Sequence, residues 1–242
     1  MSDEIPEAEP DDCPPDAATV ASRALALCAL TCRGFLEKGA GNADAEGVRD
    51  RIIEWVETLS LAGHLAAYEL DAIRKPLGAL TATKTSHLTW MAEGAAVLAW
   101  ALGRGGLPRH DAQVDPYAVT DSLEFLSPDA SEVVASADLR GGDEIRTYRE
   151  LMYAIHCRVR DAFRNGHRKD FTTWIESRWL VALHIDAQQV IAGGDLSICG
   201  NPVCDVEKSS LPTFEAGIAE QHRASIWLVG ESPTHWETTA DT

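Results

Sequence analysis

What the sequence lacks most clearly is base. Lysine and arginine number 21 against 38 aspartates and glutamates, a formal charge of −17 with histidine neutral. A surface that acidic repels phosphate, so no nucleic acid and no membrane are expected as partners, and a basic protein partner is favoured. Cysteine is sparse too. Six thiols (Cys13, Cys28, Cys32, Cys157, Cys199, Cys204) in 242 residues form no disulfide framework. A basic leader is missing: the N-terminus is acidic, and Arg23 interrupts the first apolar run. The expectation is a cytoplasmic protein with reduced thiols.

Signature chemistries are missing as well. The eight histidines make no His-Glu-x-x-His pairing. Gly103-Arg-Gly-Gly follows a helical run, where a phosphate loop would precede one, and so reads as a helix stop. Ser177, Ser209, Ser210 and Ser225 lack the strand–turn–helix setting of a nucleophile. Cys28 and Cys32 share a helix face at i and i+4, but no second pair at ligand spacing follows. They read as small buried hydrophobes, and no metal or cofactor is expected. For Cys199 and Cys204, four residues of loop between them, a metal site and a labile disulfide both stay open.

What is there is helix. Trp90–Gly103 reads WMAEGAAVLAWALG, and Glu93 is the only strongly polar side chain between Leu88 and Leu102. A helix apolar on every side is surrounded by others. At about 15 residues it spans roughly 22 Å, short of a bilayer. It is therefore expected to be the central buried helix of a mainly α, single globular domain. Asp16 caps a first helix to about Lys38, and Asp44 opens a second with Val48, Ile52, Val56 and Leu59 on one face. A short helix over 64–80 breaks at Pro76 and Gly78, and two more short pieces lie at 115–126 and 128–139. Over 142–165, Ile145, Tyr148, Met152, Ile155, Val159 and Ala162 step by three and four, while Arg146, Arg149, Arg158, Arg160 and Arg164 face away or snorkel. Further helices are expected over 171–191 and from Ser210 to Val229, with at most one small strand or hairpin near 195–203. Residues 1–16, with four prolines and seven acids, read as a disordered tail ahead of a domain over 17–242. Beyond the last helix, Trp236 is expected to bury itself against the domain.

Three islands together resemble the bacterial domain of unknown function 4272 family. The first matches at Trp90, Glu93 and Trp100–Gly103, and the second at Glu144, Ile145, Tyr153 and His156. The third holds Glu220, His222, Arg223, Ala224, Trp227 and Leu228, then Trp236-Glu237 and Asp241-Thr242 at the chain end. The resemblance spans roughly 20–242 and implies an all-helical soluble domain without an assigned activity. Arginines of the family pattern are replaced here by Met91, Gln221 and Ala154, and a tryptophan by Cys157. A guanidinium–carboxylate cluster built on those arginines is thus largely lost.

Candidate catalytic groups are Glu93, His156, Glu220 and His222, since a carboxylate with an imidazole is the minimum for acid–base work. The same pairing also satisfies polar groups at a helix junction. Trp90, Glu93, Arg223 and Trp227 are candidate binding residues. A carboxylate on a buried helix must be paired or neutralised, and Arg223 is the expected partner of Glu93. The leading expectation is a non-catalytic interaction or regulatory module acting through protein contact. The rival is a hydrolase or general acid–base enzyme with a Glu/His cluster between helices. Geometry discriminates them: Glu93 and either His156 or His222 must converge within hydrogen-bond reach in a pocket open to solvent for the rival to hold, and a sealed cluster counts against it.

Overall fold

The computed structural model describes residues 13–176 and 190–240. The expected disordered tail over 1–16 lies outside these residues up to position 12, as does the expected helix over 177–189. The architecture is mainly α. Helices α1 (Ala17–Lys38), α2 (Ala45–Thr58) and α3 (Ala67–Arg74) lead to α4 (Ala82–Ala101). Short α5 (Pro116–Ser122) and α6 (Ala130–Ala135) precede the long α7 (Gly142–Asn165) and the stub α8 (Phe171–Glu176). Three short strands follow, then α9 (Leu211–Leu228).

The caps explain where the principal helices begin. Asp16 Oδ1 accepts the Thr19 amide at 2.7 Å to open α1, and Thr81 Oγ1 accepts the Lys84 amide at 3.3 Å to open α4. Every residue from Met91 to Leu102 is buried, so the central helix is where the sequence places it. It packs against α1 and α9, and α9 in turn against α7. Gly34 sets the closeness of the first contact: a Cβ there would meet Leu88 Cβ at 2.9 Å and the Thr89 amide at 3.0 Å. Among the described helices α1 alone is long and apolar enough to cross a membrane, and Val20 to Thr31 is buried inside the fold.

The sheet is larger than expected. Strands β1 (Ile191–Ala192), β2 (Asp195–Ile198) and β3 (Asn201–Pro202) form an antiparallel meander in that order. Ala192 pairs with Asp195 and Ile198 with Asn201, which leaves two-residue turns at Gly193-Gly194 and Cys199-Gly200. All four turn residues have positive φ, between 51° and 84°. That is the turn whose twist matches antiparallel strands, so each reverses the chain at once. Asparagine and glycine content alone suggests a loop here.

Arginine placement differs too. On α7 the apolar stripe from Ile145 to Ala162 is buried as the spacing predicts, yet Arg158 is buried completely. Its guanidinium meets Asp195 of β2, so it neither faces away nor snorkels. Arg23 is buried likewise in α1, where it pairs bidentately with Glu69 at 2.7 and 2.8 Å and donates to the His64 carbonyl. The C-terminal tail packs on this same group, but through His235, which is 2% exposed. Arg23 Nη2 donates to His235 Nδ1 at 3.1 Å, and Trp236, only half-buried, lies under the guanidinium at 5.4 Å.

Candidate functional site

Helix α9 carries Glu220, Gln221 and His222 in succession. Consecutive residues on a helix point about 100° apart, so three neighbours leave in three directions. Each finds a different partner.

Gln221 faces α4. Its Nε2 donates to Glu93 Oε2 at 2.8 Å and to the Arg109 carbonyl at 3.0 Å. The other oxygen of Glu93 accepts the Val114 amide at 3.0 Å. The Tyr148 hydroxyl of α7 donates to the Gln221 carbonyl oxygen at 3.3 Å. Glu93 is 3% exposed, and no cation is among its hydrogen-bond partners in the described residues. Burial pushes its carboxyl above the ordinary value of 4.5, the Gln221 and Val114 bonds pull against that, and the Glu220 charge adds to it. The expected Arg223 partner is thus replaced by an amide. A carboxyl with a raised folded pKa stabilises the fold below about 4.5 and loses that contribution as pH climbs through the folded value.

Two spaces flank this relay. Trp90, Glu93, His110, Phe214, Gly217 and Gln221 line a pocket of about 30 Å³, room for a water or two. A second cavity, of about 310 Å³, shares His110 with the first and runs between it and Asp111, Tyr148, Met152 and Ser197. His110 Nε2 lies 2.8 Å from the Ser197 carbonyl, so that nitrogen carries the proton, and burial holds its pKa down.

His222 faces α7. Its Nδ1 is 3.1 Å from His156 Nδ1, the rings are edge-to-face, and both residues are 1% exposed. Glu215 Oε1 stands 3.6 Å from His156 Nε2, which favours a proton there. His156 Nδ1 is then left to accept from the protonated Nδ1 of His222. Burial above all, with the neighbouring His156 and Arg149 charges, drives the His222 pKa down to about 3.

Glu220, 5% exposed, is held by Arg223, whose Nη1 donates to both carboxylate oxygens at 2.8 and 3.0 Å. His87 Nδ1 stands off at 3.9 Å. Trp227, 4% exposed, takes the edge of His235 at 5.6 Å and forms the seat of the tail.

Of the candidate binding residues the structure brings together only Trp90 and Glu93. Arg223 and Trp227 serve other contacts. The four catalytic candidates split into three separate sets, Glu93 with Gln221, His156 with His222, and Glu220 with Arg223, and the buried Nε2 of His222 has no hydrogen-bond partner among the described residues. Gln221 and Tyr148 are the members that side-chain chemistry alone misses: neither titrates near neutrality, and they lie 128 and 55 residues from Glu93 in sequence. Cys199 and Cys204 are not bridged to each other, and no group of three metal-ligating side chains is found among the described residues.

The model of the Domain of unknown function (DUF4272) family matches residues 5–182. The chain belongs to the DUF4272 family. No curated protein and no solved structure matches it. The DUF4272 match includes Trp90, Glu93 and His156, and ends before α9, so Glu220, His222, Arg223 and Trp227 lie beyond it.

Proposed function

We propose that this DUF4272 member is a non-catalytic helical module that acts through protein contact, in the cytoplasm, on a partner that is basic where it docks. The separation of Glu93 from His156 and His222 carries the reading. A proton-transfer site needs an acid and a base sharing one accessible reacting atom. Here Glu93 has both oxygens engaged by amide donors, and its nearest cavity holds about 30 Å³. The exterior supports contact: the charge is −17, and Tyr117, Phe163 and Leu107 stand 81%, 52% and 52% exposed. A basic partner is attracted from a distance by that charge and held by the apolar residues.

Affinity capture of the full chain from lysate of its own cells tests this. A stoichiometric protein should be retained at about 50 mM salt and largely lost at about 500 mM, because exposed charges are screened there. Recovery of a bound metabolite with no stoichiometric protein would overturn the proposal.

A further inference from the structure

A cleft of about 520 Å³ opens between the C-terminal half of α1 and helix α5, away from the Glu93 relay. Its volume lies within the roughly 300–1,000 Å³ of small-molecule pockets. Its walls are Phe35, Leu36, Pro116, Tyr117 and Phe125. Behind Phe125, Trp55 packs edge-on at 5.0 Å and stiffens that wall. The floor is Thr31, which is 2% exposed, and its hydroxyl has no hydrogen-bond partner among the described residues. A buried hydroxyl without a partner is rare, and a threonine in a helix ordinarily bonds the carbonyl one turn back. At the mouth, Phe35 and Tyr117 are 43% and 81% exposed, large aromatic surface left in water.

We propose that this cleft binds an uncharged, mainly apolar small molecule whose hydroxyl or carbonyl oxygen meets Thr31 Oγ1. The charge around the cleft selects against anions. No lysine or arginine lines it, and its one ionised group, Asp115, has Oδ1 occupied by the Tyr117 amide at 3.0 Å. Lys38 sits over the Phe35 ring at 5.4 Å and donates to Thr89, outside the lining. A hydroxyl both donates and accepts, so Thr31 suits an alcohol, a phenol or a ketone alike. This inference stands apart from the partner reading and does not depend on it.

The probe is 1-octanol, with octanoate as its charged counterpart, titrated into the full chain at pH 7.5 and followed by NMR of the cleft side chains. Saturable shifts are expected at Phe35, Leu36 and Tyr117, with octanoate at least tenfold weaker. Thr31→Val keeps the shape and removes the hydroxyl. It should melt no lower than wild type and bind octanol about five- to tenfold more weakly, the worth of one hydrogen bond. Tyr117→Ala, at an exposed position with no folding liability, should weaken both probes. No saturable shift, equal binding of octanoate, or octanol affinity unchanged in Thr31→Val would each overturn the proposal.

Discussion

Asp195→Ala is expected to destabilise the fold by about 3–5 kcal/mol, a large part of a typical domain's total stability. Arg158 and Asp195 are both fully buried and meet in a two-pronged pair, Nε to Oδ1 at 2.8 Å and Nη2 to Oδ2 at 2.6 Å. Arg158 also donates to Asp161 and to the His167 carbonyl, while Asp195 accepts the Leu196 amide. One ion pair therefore ties α7 to β2 and to the loop between α7 and α8. Removing the carboxylate leaves a guanidinium in the interior with only Asp161 to balance it, and an unpaired buried charge is what makes such losses large. Urea melts at pH 7 measure the effect. Replacing both partners at once, Arg158→Met with Asp195→Leu, should recover much of the loss, because no charge is then stranded. A loss below about 1 kcal/mol for Asp195→Ala would mean water reaches the pair.

Acid should weaken the protein through its buried histidines, by about 3 kcal/mol at pH 4 from His222 alone. His222 is 1% exposed, and its folded pKa is depressed to about 3 by burial, His156 and Arg149. The unfolded value is about 6.5. A histidine held neutral by the fold stabilises fully above about 6.5. As pH falls from there toward the folded value, the unfolded chain takes up the proton and the fold does not, costing about 1.4 kcal/mol per pH unit. His235 acts in the same direction, held neutral by burial and by the Arg23 and Arg223 charges. Urea melts of wild type and His222→Gln at pH 7, 5.5 and 4 isolate the contribution as a difference in slope, whatever the variant's absolute stability. The wild-type line should fall more steeply below pH 6.5. Parallel lines would mean that His222 takes a proton in the folded state as readily as in the unfolded one.

Local spacing is enough to place α4 and α7. The three-and-four step from Ile145 to Ala162 predicts the buried stripe of α7, and the unbroken apolar run after Trp90 predicts the central helix. Pairings over long separations are another matter. Arg158 reads as a surface group, and Arg23 only as a break in an apolar run, because an arginine is buried only when its partner is in place. Those partners, Glu69 and Asp195, come 46 and 37 residues later. That Glu93 needed a partner was legible; that it would be Gln221, a neutral amide, was not, since an arginine explains a buried carboxylate equally well. Glu220 and His222 do not meet because residues two apart on a helix leave on opposite sides. In the tail, side-chain size favoured Trp236 as the anchor, but the seat between Arg23 and Trp227 offers a hydrogen bond, and His235 takes it.

The separation of Glu93 from the histidine pair is tested most directly by NMR titration of the Glu93 carboxyl carbon, in wild type and in His222→Gln. In both proteins Glu93 should titrate above its ordinary 4.5, with the same midpoint, because its partners are Gln221 and the Val114 amide. A midpoint that moves by about one pH unit or more when His222 is replaced would show two groups sharing one site. That result would contradict the three-way division around α9 and restore the acid–base reading.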